Sequence, residues 1–330
     1  MNKWEILSLL KAKEPDYLSG TDISEKFEVT RTAIWKAIKE LRTLGYEIAA
    51  KPQSGYKLLP PFDMLNAHEL EYKFAKNILP YKIIFLDTVD STNNEAKRLQ
   101  SPKSAKSANV NIVVAAAEQT GGRGRYNRSF SAKPNLGIYF TIKINSSAEK
   151  LIPIEDVTFY PLIAALSVCA AIKKLCGVEL KIKWPNDLLY DKKKICGILT
   201  EASIEAESRE VAYVIVGIGV NINNNIEDFP DELRDKATSL KIISGKKYDR
   251  ADIICEIVEN FTNLAVLPRS EMLREYRQYL ITGKKISFMQ NNIKYTGIIQ
   301  DINASGNLIV LCSDGASMII QSGEINIINF

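Results

Sequence analysis

The densest run of reactive groups is Gln119-Thr120-Gly121-Gly122-Arg123-Gly124-Arg125-Tyr126-Asn127-Arg128, which holds three glycines, three arginines and no acid. Glycine lets a backbone approach a ligand closely, and guanidinium forks match phosphate or carboxylate oxygens, so the segment reads as an anion-binding loop. The alternative is a solvated basic turn, because surface loops often carry Gly and Arg. It has no G-K-[ST] of a Walker loop, and Asn127 stands where a dinucleotide fingerprint needs its third glycine.

A second cluster is Lys183-Trp184-Pro185-Asn186-Asp187, followed by Lys194-Ile195-Cys196-Gly197-Ile198-Leu199-Thr200-Glu201. Asn186 and Asp187 offer oxygens suited to Mg²⁺ shared with phosphates, or simply make a turn. Lys194 opens an apolar strand and can place a point charge on a transferring phosphoryl group; Asp187 flanks the same hairpin, so the two are expected to meet. Trp184 reads as core before ligand platform. The run Asp90-Ser91-Thr92-Asn93-Asn94-Glu95 sets polar side chains before a helical stretch, where an N-cap is the plainest reading. Gly217-Ile218-Gly219-Val220-Asn221-Ile222-Asn223 is a strand with two glycines, which admits a flat ligand or marks a bulge.

Any chemistry here works without histidine. His68 is the only one in 330 residues, which removes His triads, zinc-protease sites and histidine proton shuttles as classes. Cys169, Cys176, Cys196, Cys255 and Cys312 form no C-x-x-C pair, so neither a disulfide framework nor a zinc site is expected. Hydrophobic residues at 46% and charged residues at 25% fit an ordinary globular chain with a sizeable core, and a net charge of +4 does not by itself imply a polyanionic partner. No uninterrupted apolar run reaches the roughly 18 residues of a membrane helix. Met1-Asn2-Lys3-Trp4-Glu5 lacks the apolar stretch of a signal peptide, so the expectation is a cytoplasmic protein without a membrane partner.

The elements that must position these groups fall into three parts, since domains usually run about 100–200 residues and small modules are shorter. Residues 1–61 read as a helical unit closed by a hairpin. Asp22 with Glu25 resembles a capping box for a short helix ending at Phe27, and Thr30 caps a second helix with Ile34, Ile38 and Leu41 on one stripe and Gly45 past its end. Ile48–Ala50 and Tyr56–Leu58 pair as a wing around Ser54, giving the order of a winged helix-turn-helix. Arg31, Thr32, Trp35, Lys36 and Lys39 lie off the core stripe and, with Thr30 and Ser54, form the expected DNA face. Trp35 either contacts bases or packs on the neighbouring helix, the commoner use of an indole. A helical docking module is the alternative reading of this unit.

Leu59-Pro60-Pro61 is a stiff exit, and 101–109 (SPKSAKSAN) a Ser/Lys-rich patch expected to be a mobile loop. Residues 62–282 mix β-rich runs (Ile112–Ala116, Gly137–Ile144, Val211–Val220) with a helical stretch from Tyr160 to Leu175, an α+β pattern with a mixed, largely antiparallel sheet. Residues 283–330 alternate short strands (Lys285–Met289, Lys294–Asp301, Asn307–Cys312, Ala316–Ile320) with turns, the pattern of a small β-barrel.

In this order, D-S-T-N, Q-T-x-G-R-G-R, K-W-P-N-D, K-I-C-G-I-L-T-E and G-I-G-V-N-I-N resemble the biotin protein ligase family, and the N-terminal unit resembles that of its bifunctional repressor members. The resemblance covers essentially the whole chain. It implies a winged helix, a biotin/lipoate-ligase-like catalytic domain and a C-terminal SH3-like barrel. It implies ATP-dependent, AMP-forming activation of biotin to biotinyl-5′-AMP, transfer to a lysine of the biotin carboxyl carrier domain of a carboxylase, and repression of biotin genes at operator DNA by a ligand-promoted homodimer with biotinyl-5′-AMP as corepressor. By motif, Ser91, Thr92, Asn93, Gln119, Arg123, Gly124, Arg125 and Lys194 would bind biotin, and Arg123, Arg125, Arg128, Lys183, Asn186, Asp187 and Asn221 would bind ATP. Lys194, Arg125, Asp187 and Lys183 would be catalytic, with Asp187 also on Mg²⁺. A non-catalytic biotin-sensing repressor and a lipoate-type ligase are the alternatives. The chain departs from the commoner family pattern at Asn127 (for Gly), Phe130 (for Trp), Ala132 (for Ser) and Lys133 (for Pro), which bears on how the loop turns and packs. Asparagine also tolerates φ > 0, so the turn can survive the replacement at Asn127.

Overall fold

The computed structural model describes residues 2–59, 63–99, 110–147, 151–205 and 209–329; Pro60-Pro61 and the 101–109 patch lie outside them. Helices α1 (Lys3–Lys13), α2 (Gly20–Phe27) and α3 (Arg31–Thr43) precede the hairpin β1 (Ile48–Lys51) and β2 (Gly55–Leu58). Sequence reading did not separate α1, which Asn2 and Glu5 cap reciprocally. Asp22 and Glu25 are not the capping box of α2. The cap is Ser19, whose side chain accepts from the Thr21 N–H, and Asp22 sits inside the first turn, where its charge suits the helix dipole. Thr30 caps α3 as expected, and Ile34, Ala37, Ile38 and Leu41 pack on Ile6, Leu7, Leu10 and Ile23.

Helix α4 (Ala67–Lys76) joins this unit to the rest. Leu70 and Phe74 enter the main core, while Glu69, fully buried, turns back to accept from the Tyr46 hydroxyl at 2.6 Å and to pair with Lys11. Asn66 donates to Tyr46 at 3.2 Å, and Trp4 stacks on His68 with centroids 4.3 Å apart. Breaking a buried pair costs about 3–5 kcal/mol, so these contacts hold the two units as one piece. The lone histidine packs at this junction.

Then follow β3 (Tyr81–Val89), α5 (Thr92–Arg98), β4 (Asn111–Gln119), β5 (Ile138–Asn145), α6 (Tyr160–Cys176), β6 (Lys181–Lys183), β7 (Asp187–Tyr190), β8 (Lys193–Ile204), β9 (Val211–Val220), α7 (Leu240–Ser244), α8 (Arg250–Leu264) and α9 (Arg269–Tyr279). The sheet runs β3-β4-β5-β9-β8-β7-β6, with β3 and β4 parallel and every other pair antiparallel. On one face α6 and α8 bury the principal core. Residues 154–176 are long and apolar enough to cross a membrane by composition, but α6 within them is the central helix of this core.

The other face carries the site, and its register forms three rows. The first is Ala116, Tyr139, Gly219 and Gly197; the second Val114, Thr141, Gly217 and Leu199; the third Ile112, Lys143, Ile215 and Glu201. Helix α5 lies over the second and third rows, packing Ala96 on Ile112, Val114 and Ile215.

The C-terminal strands β10 (Lys285–Gln290), β11 (Ile293–Ile302), β12 (Leu308–Cys312), β13 (Ser317–Ile320) and β14 (Ile325–Asn329) form an antiparallel sheet in the order β13-β12-β11-β10-β14. Strand β14 was not foreseen. Trp184 Nε1 donates to the Gly306 carbonyl at 3.0 Å and is buried, so this indole is core and ties the sheet to the K-W-P-N-D turn.

Candidate active site and DNA interface

Ser91, Thr92 and Asn93 are buried where α5 begins. Ser91 occupies the cap position without a capping bond, so the run is a wall of the site rather than an N-cap. The Thr92 N–H and hydroxyl reach Gln119 Oε1 at 2.7 and 3.1 Å. Thr141 donates to Asn93 Oδ1 at 2.6 Å, and Asn93 Nδ2 donates to Glu201 at 2.9 Å. Gly217 makes this possible, since a Cβ there would stand 2.1 Å from Asn93 Oδ1. At Gly219 a Cβ would stand 2.7 Å from the Phe130 ring. The close approach that the two glycines permit is therefore made by the protein's own Asn93 and Phe130.

The anion loop hangs over this floor. Arg123 pairs with Asn94 at 2.5 Å, Arg125 donates to Asn186 Oδ1 at 3.2 Å, and Gly124 N–H bonds the Arg128 carbonyl at 2.7 Å. Within the turn Tyr126 takes the left-handed conformation (φ 55°). The Tyr126 ring is exposed and lies 5.4 Å below the Arg125 guanidinium, so the strained backbone sits where no core packing opposes it. Arg128 leaves the loop for Glu324, ahead of β14.

Lys194 and Asp187 meet as expected, Nζ to Oδ1 at 2.6 Å, and Lys183 stands 3.9 Å from Asp187 Oδ2. Burial pushes the Lys183 pKa down, and the Asp187 charge offsets part of that. Asn221, buried, donates to the Thr238 carbonyl at 3.0 Å.

Two cavities adjoin here. The inner is walled by Ser91, Thr92, Asn93, Gln119 and Arg123. The outer, the roomier of the two, takes in Lys183, Asp187, Asn221 and Arg128, with Phe229 and Leu233 as an apolar wall. Gly124, Arg125, Phe130, Asn186 and Lys194 line both. All the catalytic and small-ligand residues named from the sequence are thus gathered at one double cavity. Thr141, Glu201, Glu324, Phe229 and Leu233 were missed. Thr141 left a trace, because Thr141, Lys143 and Asn145 alternate as polar residues in an otherwise apolar strand. That pattern reads as a solvated face, but α5 covers it.

Among the described residues no three His, Cys, Asp or Glu side chains could hold a metal alone. Asp187 beside Asn186 fits the lighter demand of Mg²⁺ arriving on phosphates, which needs one or two carboxylate ligands.

At the other end, Thr30, Arg31, Thr32, Trp35, Lys36 and Lys39 are exposed along α3, with Ser54 half-buried in the wing. Trp35 is 52% exposed and Lys39 Nζ lies 5.3 Å from its ring centre, so about half of the indole is presented outward beside a cation.

Family models match along the chain: an HTH domain at residues 4–57, the biotin/lipoate A/B protein ligase family at 85–221, and the biotin protein ligase C terminal domain at 282–327. The bifunctional ligase/repressor BirA of Bacillus spizizenii is 35% identical over 279 residues, 84% of this chain and 79% of that protein. The bifunctional ligase/repressor BirA of Salmonella typhimurium is 25% identical over 98% of this chain and 96% of its own length. Among solved structures, the biotin protein ligase from Aquifex aeolicus in complex with biotin and ATP superposes with a TM-score of 0.61 at 27% identity, over 74% of this chain and 97% of that one. A helix-turn-helix unit, a doorway of cations between two cavities and an extended likeness to ligase/repressors converge: the chain belongs to the bifunctional biotin protein ligase/repressor family.

Proposed function

We propose that this chain activates biotin with ATP as biotinyl-5′-AMP and passes the biotinyl group to a lysine of a biotin carboxyl carrier domain. The observation that carries the reading is that Lys194, Arg125 and Asn186 line both cavities. An enzyme that joins a carboxylate to a nucleotide needs its cations where the two substrates touch. The inner cavity would take biotin, with Ser91, Thr92, Asn93 and Gln119 as hydrogen-bonding walls and Arg123 near its carboxylate. The outer cavity would take ATP, with Lys183, Asn186, Asp187, Asn221 and Arg128 around the phosphates and ribose.

In the first half-reaction the biotin carboxylate attacks the α-phosphate; a new P–O bond forms, the bond to the β-phosphate breaks, and pyrophosphate leaves. Lys194 and Arg125 neutralise charge on the phosphoryl oxygens. In the second, a neutral lysine amine of the carrier attacks the anhydride carbonyl. A C–N bond forms, the amine loses a proton and AMP leaves. Asp187 with Asn186 would hold Mg²⁺, which would add positive charge at the phosphates.

The chain divides on this reading into a DNA-binding unit (1–61), a catalytic domain (62–282) and a C-terminal domain (283–330). Biotinyl-5′-AMP acts as corepressor by promoting a homodimer that spans two operator half-sites, since one winged helix makes few contacts with DNA. The loop around the exposed Tyr126 supplies the surface that changes with ligand. ATP-dependent labelling of a carrier-domain lysine by biotin tests the enzyme. Pyrophosphate exchange driven by lipoate or octanoate in place of biotin would overturn it. Operator titration with and without biotinyl-5′-AMP tests the repressor, and equal affinity in both states would exclude the coupling.

A further inference from the structure

Lys143 lies in β5 two residues past Thr141 and on the same face. Among the described residues it is the one lysine in the buried core, 1% exposed. Its Nζ donates to the carbonyl of Leu99, the C-cap of α5, at 2.5 Å, and stands 4.3 Å from the Tyr213 ring centroid. Burial pushes the ammonium pKa down; a helix C-terminal carbonyl and an aromatic face are partners that favour a desolvated cation. A branched apolar residue would fill this row between Ile112 and Ile215 with less desolvation cost, so packing alone does not account for a lysine here.

The three rows of the sheet have different tasks. Gly219 seats Phe130, and Gly217 with Thr141 seats Asn93. The third row holds the body of α5: Glu201 bonds Asn93 and Lys97, and Lys143 bonds the helix end. Helix α5 is seven residues long and begins with the Thr92 and Asn93 that wall the inner cavity. A displacement at its far end therefore reaches the cavity wall within two turns. We infer that Lys143 is a positioning residue for biotin: by anchoring the C-terminal end of α5 it sets where Thr92 and Asn93 meet the substrate. The inference rests on the inner cavity being the biotin site.

Lys143→Met keeps the length and apolar stem of the side chain and removes the cation. In biotin-dependent ATP–pyrophosphate exchange with the full chain, the biotin KM is expected to rise about tenfold, the size of effect that a sub-ångström misplacement produces. The ATP KM and kcat are expected to stay within about twofold, a split that general loss of fold would not give. Lys143→Gln, which keeps a donor on a shorter arm, serves if the methionine variant does not fold, and should show a smaller rise of the same kind. An unchanged biotin KM in whichever variant folds, or matched losses for ATP and biotin, overturns the inference. Absence of biotin-dependent exchange in the wild-type chain would instead remove the reading of the cavity on which it rests.

Discussion

Arg128 and Glu324 hold each other fork to fork, Nη1 to Oε1 at 2.6 Å and Nη2 to Oε2 at 2.7 Å, joining the anion loop to the C-terminal sheet. Burial works to raise the Glu324 pKa, but the hydrogen bonds from Arg128 hold it below the usual range. The pair is too exposed to matter much for stability. Its significance is that an arginine lining the outer cavity is already satisfied by a carboxylate that precedes the last strand of the C-terminal sheet.

With ATP in the outer cavity as proposed, its phosphates would compete with Glu324 for Arg128. Glu324→Gln weakens the competitor and is expected to lower the ATP KM up to about fivefold, the worth of an exposed ion pair, with the biotin KM unchanged. Exchange kinetics at varied ATP measure this. A raised ATP KM would mean that Glu324 steers Arg128 toward the phosphates instead of competing with them.

Lys194→Ala should lower biotinyl-5′-AMP formation by about 10²–10³, the usual cost of removing one preorganised group at developing charge. Asp187→Ala should slow that step much more than transfer from preformed adenylate, if Asp187 holds ATP and Mg²⁺ as proposed. Single-turnover assays of each half-reaction separate the two. Equal loss in both halves would point to a folding defect.

Trp35 on α3 is 52% exposed, so truncating it should cost little stability, about 1 kcal/mol or less. Trp35→Ala is expected to weaken operator binding about tenfold while exchange rates hold. Lys36→Ala should reduce the salt dependence of binding by about one counterion if its contact is to phosphate. Unaltered operator titrations for both would move the DNA face elsewhere.

Asp249 caps α8, and burial pushes its pKa up to about 6; Lys73, 3.2 Å away, offsets this incompletely because it also pairs with Asp252. The folded pKa lies above the unfolded value of 3.8, so the folded state binds the proton more tightly and stability falls as pH rises through that window. The loss is on the order of 3 kcal/mol. Asp249→Asn keeps a capping oxygen and should gain on the wild type as pH rises from about 4 to about 7, read as the difference in thermal midpoint. A pH-independent difference would contradict the burial account.

Local chemistry made much of this molecule legible. Thr30, Gly45 and the Ile34–Ile38–Leu41 stripe announce α3, because caps and period depend on neighbours in sequence. The Asp187–Lys194 meeting follows from one hairpin. What stayed hidden depends on partners distant in the chain. Lys143 and Thr141 look like a wet strand face until α5 covers them, and Glu324 has no mark of function until the C-terminal sheet brings it to Arg128. Gly217 and Gly219 were recognised as places of close approach, but which side chains use that room, Asn93 and Phe130, is decided by tertiary packing.

The buried Lys11–Glu69–Tyr46 cluster makes the DNA-reading end of the molecule a fixed arm and not a tethered bead. In a dimer built through the catalytic domains, the two arms would act as the jaws of a caliper whose opening is set by the hinge face alone. Operators of the wrong spacing would then be refused by geometry, even where each half-site carries the correct bases.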